Sequence, residues 1–243
     1  MNILITGASR GIGFQTALSL ATIKGNRVFA VSRDLSGLMQ LQKVFDEVGC
    51  QGKLVICHGD IGSEDFLISL VEKIEKEVST LQIIINNAGQ LINAPFEKLA
   101  ISDWKKLYEV NVFSPVNVIR YSLPLLKSSE GLPSSIFRAH IVNIGSIGGV
   151  QGTIKFKGLS AYSSSKGALS VLTECLAEEF KEELIAVNCL ALGSVQTEMF
   201  SKAFPDFVAA NQPNEIGNYI GKFAMEGSSF FNGKVISVSS SNP

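Results

Sequence analysis

The segment that most constrains this chain lies at its start. Asn2–Thr6 (NILIT) is a short β-type run, and Gly7-Ala8-Ser9-Arg10-Gly11-Ile12-Gly13 follows at once. Phe14, Ala17, Leu18, Leu20 and Ala21 then recur with helical spacing. Strand, glycine-rich turn and helix in that order open an α/β sheet. Glycines let another backbone approach closely, and the helix N-terminus presents free N–H groups with partial positive charge, so the turn suits a dinucleotide pyrophosphate. The spacing is GxxxGxG rather than GxGxxG, and a glycine turn without a ligand is the competing reading.

Strand and helix patterns alternate along the rest of the chain, which predicts a doubly wound parallel sheet with helices on both faces. Strands are predicted near 2–6, 27–31, 53–57, 81–85, 139–145, 184–190 and 234–238, and helical patterns near 11–24, 35–47, 63–78, 102–127, 161–182 and 213–226. Ser63 and Asp103 suit N-terminal caps, and Glu64 and Asp65 suit a first turn. Pro115 and Pro124 interrupt the fourth helical pattern, so it is expected to be two pieces meeting near Asn111. No repeat of fixed period is present.

The 243 residues are 46% apolar and include 22 glycines, with mean hydropathy +0.26. That is enough to bury a large core, and residues 1–243 are read as one domain. A net charge of −1 and a pI near 6.2 give no pull toward nucleic acid or anionic membrane. No segment approaches the roughly 20 apolar residues that span a bilayer, and the N-terminus enters the first strand without a charged, apolar leader, so a cytoplasmic protein is expected. Cys50, Cys57, Cys175 and Cys189 are scattered and read as reduced thiols. His58 and His140 lack a second ligand at metal spacing, and no metal is expected.

Tyr162-Ser163-Ser164-Ser165-Lys166 places a phenol and an ammonium four residues apart at the start of an apolar-periodic helix, hence on one face. A cation beside a phenol favours the phenolate, lowering a reference pKa of about 10 toward working pH, as a proton donor to a carbonyl oxygen requires. Together the motifs resemble the short-chain dehydrogenase/reductase family over nearly the whole chain. Thr6 to Gly13 resembles its TGxxxGIG, Asn86-Asn87-Ala88-Gly89 its NNAG, and Asn111, Ser146, Tyr162 and Lys166 its catalytic tetrad. The resemblance implies a single-domain Rossmann fold with a seven-stranded sheet, and hydride transfer between a nicotinamide and a carbonyl or alcohol.

Under that resemblance Tyr162 protonates the carbonyl oxygen and Ser146 orients it. Lys166 holds the nicotinamide ribose and lowers the tyrosine pKa, and Asn111 holds a water that links Lys166 to solvent. Gly7, Ser9, Arg10, Gly11, Ile12, Gly13, Asn87, Ala88 and Gly89 would line the cofactor site. Leu192-Gly193-Ser194-Val195-Gln196-Thr197 stands where relatives read PGxVxT, so Gly193, Val195 and Thr197 remain for the carboxamide. Leu192 in place of proline is expected to loosen that turn. The ending from Ser237 onward (SVSSSNP) departs from the family's glycine-containing one. A homodimer or homotetramer is implied.

Cofactor choice rests on the tip of the second strand, Ser32-Arg33-Asp34. A carboxylate there would accept from a ribose 2′-OH, whereas an arginine pairs with a 2′-phosphate. Ser32 stands where NAD-preferring relatives carry Asp, and Arg33 and Arg10 supply cations, so NADP(H) is expected over NAD(H). Asp34 suits the cap of helix 35–47. Asp60-Ile61 resembles the family's adenine contact, although Asp60 is also a good turn former. Loop 148–160 is expected to border the substrate, and Phe200, Phe204 and Phe207 suit either an apolar wall or the core. The function classes left open are a carbonyl reductase of small ketones or aldehydes, with 3-oxoacyl-[acyl-carrier-protein] reductase as the alternative, and a non-catalytic NADP(H)-binding sensor. Helix 161–182 ends in Glu174, Glu178, Glu179, Lys181, Glu182 and Glu183, on a stretch where carrier-protein reductases of the family place a basic residue, which favours the small substrate; a solvated helix end or a subunit interface is the competing reading of these carboxylates.

Overall fold

The computed structural model describes residues 1–49, 51–133 and 135–239; Cys50 and the last four residues of the SVSSSNP ending lie outside them. The strands are β1 (Asn2–Thr6), β2 (Arg27–Ser32), β3 (Lys53–His58), β4 (Ile83–Asn86), β5 (Ala139–Ser146), β6 (Ile185–Leu192) and β7 (Val235–Val238). They form one seven-stranded sheet in the order β3-β2-β1-β4-β5-β6-β7, with every pairing parallel. The helices are α1 (Gly11–Ala21), α2 (Leu35–Val48), α3 (Glu64–Glu77), α4 (Ile101–Tyr108), α5 (Ser114–Lys127), α6 (Ser160–Glu179), α7 (Glu198–Ala203) and α8 (Pro213–Glu226).

Helices cover both faces, which is why the central strands read as continuous apolar runs. Successive side chains of a strand point to opposite faces. Ile3, Ile5, Ile83 and Ile85 pack with α1, α2 and α8 through residues such as Leu20, Leu38 and Ile220. Leu4 and Ile84 point the other way, into a core with Leu70, Ile74, Val118 and Leu126 from α3 and α5. The chain reverses direction across the sheet between β1 and β4, and the crevice at their carboxyl ends is where an open α/β sheet binds ligands.

Caps explain most boundaries. Asp34 accepts from the Gly37 amide at 3.1 Å and starts α2, and Ser63 accepts from Phe66 at 3.4 Å and starts α3. Asp103 is not a cap; it lies inside α4 and accepts from the Ala100 amide at 2.9 Å. The predicted helix 11–24 stops at Ala21, where Thr22 Oγ donates to the Ser19 carbonyl at 2.7 Å, and 161–182 stops at Glu179. Strand β6 begins after Leu184 because that residue sits in the left-handed region at φ 56°. The expected break falls at Asn111: residues 109–113 form a π-helical turn between α4 and α5. Pro115 has no N–H to donate to the Asn111 carbonyl four residues earlier, and Ser114 Oγ bonds the Glu109 carbonyl at 2.9 Å instead. Pro124 leaves α5 continuous. Leu192 does not loosen its turn; it extends the ladder, paired with Ser146 on one side and Val238 on the other.

Candidate active site

The glycine turn is shaped by close approach rather than by sequence alone. Gly7 (φ 70°) and Gly11 (φ 57°) occupy the left-handed region. A β-carbon on Gly13 would lie 2.2 Å from the Gly7 carbonyl oxygen and 2.3 Å from Asn87 Nδ2. Asn87 Nδ2 donates to the carbonyls of Thr6 (3.0 Å) and Gly7 (3.2 Å), while Thr6 Oγ1 accepts from the amides of Asn87 (3.2 Å) and Ala88 (3.1 Å). Thus β4's NNAG end clamps the turn after β1. Arg10 at the N-cap of α1 gives no side-chain cap, so the first-turn amides of Gly11, Ile12 and Gly13 receive no acceptor from it and the partial positive charge of the helix start stays available to an anion.

An adjoining cleft of about 150 Å³ is lined by Gly7, Ser9, Arg10, Ser32, Arg33, Asp60, Ile61, Asn87, Ala88 and Gly89. Ser32 Oγ bonds Ser9 Oγ at 2.9 Å and accepts from the Asp34 amide at 3.2 Å. Arg10 and Arg33 do not pair around one point; Arg10 bonds Glu198 at 3.0 Å and Arg33 bonds Asp60 at 3.4 Å. The other Asp60 oxygen accepts from the Gly62 amide at 2.9 Å. Glycine closeness at the turn, an uncapped helix start, and exposed guanidinium groups beside neutral Ser32 fit a dinucleotide.

Tyr162 and Lys166 lie one turn apart in α6, beside Ser146 at the end of β5. Burial pushes the Tyr162 phenol above its ordinary range, against the neighbouring Ser146 hydroxyl, which favours the phenolate. Lys166, expected to lower the phenol, is not among the groups that shift it; its Nζ donates to the Ile144 carbonyl at 2.8 Å. Lys166 is 4% exposed, and burial pulls its ammonium down to about 8. Asn111 is fully buried. It exchanges hydrogen bonds with the Gln90 backbone (2.8 and 2.9 Å) and donates to Ser165 Oγ at 3.0 Å. A β-carbon on Gly89 would lie 3.4 Å from both Asn111 Oδ1 and Lys166 Nζ, so these polar ends converge on the NNAG glycine. Thr6, Ser165 and the Ile144 carbonyl are supports absent from the sequence-derived site; Thr6 stood inside a quoted motif, while a backbone acceptor leaves no residue-type signal.

Ser146 and Tyr162 open onto a cavity of about 290 Å³. Phe156 and Leu159 of loop 148–160 line it, as do Gly193 and Ser194, and Phe200, Phe204 and Phe207 form its wall rather than packing into the core. Val195 is 5% exposed, and Thr197 caps α7 by accepting from the Phe200 amide at 3.1 Å. The sequence pattern missed α7 itself. Cys57 and Cys189 are buried and Cys175 exposed. Among the described residues, no cluster of His, Cys, Asp and Glu could hold a metal ion, and no helix is long and apolar enough to cross a membrane.

The gluconate 5-dehydrogenase of Gluconobacter oxydans is 31% identical over 251 residues, covering 97% of this chain and 91% of that one. The benzil reductase ((S)-benzoin forming) of Saccharomyces cerevisiae is 36% identical over 203 residues, 81% of this chain and 72% of that one. The rhamnolipids biosynthesis 3-oxoacyl-[acyl-carrier-protein] reductase of Pseudomonas aeruginosa is 34% identical over 197 residues, 81% and 73% respectively. The RhlG/NADP active-site complex of Pseudomonas aeruginosa matches with TM-score 0.84 at 28% identity, covering 98% of this chain and 94% of that one. The short chain dehydrogenase family is matched by residues 1–207, and this chain belongs to that family of oxidoreductases.

Proposed function

We propose that the chain is an NADP(H)-dependent oxidoreductase that interconverts a carbonyl and an alcohol on a small molecule, with Tyr162 as proton donor. The observation that carries this reading is the Ser146–Tyr162 hydroxyl pair on the wall of an apolar cavity, with buried Lys166 one helical turn further along α6. Tyr162 gives its phenolic proton to the carbonyl oxygen, and Ser146 donates to the same oxygen and fixes its position. A positioned acid contributes about 10²–10⁴-fold. When bound, the reduced nicotinamide supplies a hydride to the carbonyl carbon, so the C=O π bond is replaced by one C–H and one O–H bond and the dinucleotide is oxidised. Lys166 would hold the nicotinamide ribose. The Asn111 side chain is occupied, so its part in a water relay falls to its backbone carbonyl, which Pro115 leaves without an α-helical donor.

Gly7, Ser9, Gly11, Ile12 and Gly13 would hold the pyrophosphate, and Arg10, Ser32 and Arg33 the 2′-phosphate. Asp60 and Ile61 would border the adenine, Asn87, Ala88 and Gly89 the ribose side, and Gly193, Val195 and Thr197 the carboxamide. Support for NADP(H) is the neutral Ser32 with two guanidinium groups in one cleft, together with the similarity to an NADP complex. The reading takes residues 1–243 as one unit, placed in the cytoplasm as a homodimer or homotetramer, open to fractionation and sedimentation measurements.

A second reading, reduction of a 3-oxoacyl group on a carrier protein, draws on the relative of that name. The end of α6 counts against it: Glu178 pairs with Lys181 and Glu183 with Lys127, and Glu174, Glu179 and Glu182 leave this surface acidic toward an acidic carrier. NADPH oxidation over a carbonyl panel, with calorimetric binding of NADPH and NADH, tests the whole reading. Cofactor binding with no turnover would favour a sensor, and strong preference for a carrier-bound chain over the same chain on a small thiol would favour the second reading.

A further inference from the structure

We infer that the substrate is an uncharged ketone with an aryl group beside the reacting carbonyl; this rests on the reductase reading above. Among the described residues, no Lys, Arg, His, Asp or Glu lines the cavity beside Tyr162. Arg10 and Lys202 line a different cavity and both bond Glu198; of the two lysines that flank Phe156 at the rim, Lys155 donates to the Val150 carbonyl and to Thr153 Oγ1, and Lys157 is exposed outside the lining. A carboxylate or phosphate next to the carbonyl would lose its hydration with no cation among the lining residues to replace it. The polar side chains among its lining residues are those of Ser146, Tyr162, Ser194 and Ser239, all uncharged, which suits a carbonyl and a neutral neighbour.

The wall argues for a ring. Phe200 and Phe204 have centroids 5.3 Å apart at 38°, and Phe204 and Phe207 6.4 Å apart at 89°. Neighbouring rings at such different tilts present both faces and edges, and aromatic partners favour offset and edge-on contacts. At the rim Phe156 is 45%, Phe207 67% and Val208 88% exposed. A flat apolar substrate would cover this surface, and burying it contributes to binding in proportion to area.

The test uses a near-isosteric pair, 1-phenylpropane-1,2-dione and phenylglyoxylate, with pentane-2,3-dione as the probe without a ring. The expected order of kcat/KM places the phenyl dione at least ~10-fold above the aliphatic dione, the scale of one lost ring contact set, and ~10²-fold above the keto acid, the scale of an unpaired charge. Thermal shift without turnover should show the same order. Phe204→Ala is expected to remove the advantage of the phenyl dione over pentane-2,3-dione. Val208→Arg, at an exposed rim position that tolerates charge, is expected to raise kcat/KM for phenylglyoxylate relative to the phenyl dione. Equal or better turnover of the keto acid or the aliphatic dione would overturn the inference while leaving the reductase reading intact. Absence of turnover with all three, and with a wider carbonyl panel, despite NADPH binding, would overturn both.

Discussion

Glu198 at the start of α7 accepts a hydrogen bond from Arg10 of the glycine turn at 3.0 Å, so the helix that walls the substrate cavity is tied to the loop that lines the cofactor cleft. Glu198 also accepts from Lys202 at 2.6 Å. Lys202 first, then Arg10, hold its carboxyl below the usual carboxylate range. The Arg10 side chain is 65% exposed, and ion pairs this open are weak and screened by salt. A 2′-phosphate would therefore compete with Glu198 for Arg10. Glu198→Gln is expected to tighten NADPH binding by roughly 2- to 5-fold, the scale of an exposed pair, and to leave NADH unchanged. Calorimetric titration with both cofactors checks this, and an equal effect on the two would show that Arg10 does not reach the 2′-phosphate.

Tyr162→Phe keeps the ring and removes the proton. NADPH affinity should stay within about 2-fold while turnover falls ~10²–10⁴-fold, the worth of a positioned acid. Burial raises the phenol above its ordinary range, so it stays protonated through neutral pH, as reduction needs. Lys166 has a depressed value near 8; it is charged below that pH and neutral above it. Reductive kcat/KM should hold on the acid side and decline as pH rises through about 8. A single-turnover pH profile of parent and Lys166→Arg, whose guanidinium does not titrate in this range, separates the two groups: the alkaline limb should move upward in the variant.

The glycine turn and the helix break were legible as local patterns of residue types, whereas Asn86-Asn87-Ala88-Gly89 and the set Asn111, Ser146, Tyr162 and Lys166 came from the family resemblance; the structure brings Ser146 and Tyr162 of that set to one cavity. Pro115 announces the break at Asn111 by lacking a donor. Helix ends were read too long at Ala21 and Glu179, since apolar spacing continues past the residues where turns take over. Helix α7 was missed because six residues are too few to show a period. The partnership of Arg10 with Glu198, 188 positions apart, leaves no trace in either segment, and the same is true of the Ile144 carbonyl that occupies Lys166. Burial, which sets the shifts of Tyr162 and Lys166, is likewise a property of the packed fold and not of either segment.

At the tip of β2, Ser32 Oγ bonds Ser9 Oγ at 2.9 Å, which brings the strand tip against the glycine turn. A carboxylate at this position would accept from a ribose 2′-OH and repel a 2′-phosphate. The double variant Ser32→Asp with Arg33→Ala should invert the NADPH/NADH ratio of kcat/KM. Each lost or gained charge-assisted contact is worth about 1.5–3 kcal/mol, so the combined swing should exceed ~10²-fold. Paired kinetics on one substrate give the ratio directly, and an unchanged ratio would locate the phosphate site elsewhere.

His140 provides a stability test independent of catalysis. It is fully buried on β5, where Nδ1 donates to the Ala224 carbonyl at 2.9 Å and Nε2 accepts from Asn188 Nδ2 at 2.9 Å. Asn188 cannot turn over to offer its oxygen, because Oδ1 already accepts from the Lys234 amide at 3.1 Å. A proton on Nε2 would set two donors face to face. Burial accordingly lowers the imidazole from 6.5 to about 4, against the opposing hydrogen bond to Ala224. A folded value below the unfolded one means that stability is complete above about pH 6.5 and is lost as pH falls toward 4, by up to about 1.4 kcal/mol per pH unit. Urea unfolding at pH 7.5, 6.0 and 5.0 should show this slope in the parent. The slope attributable to residue 140 should vanish in His140→Gln, which has no titrating group. That variant should also be less stable at pH 7.5, since a longer amide cannot reproduce both hydrogen bonds in the same space. An identical acid slope in the two proteins would place the titrating group elsewhere.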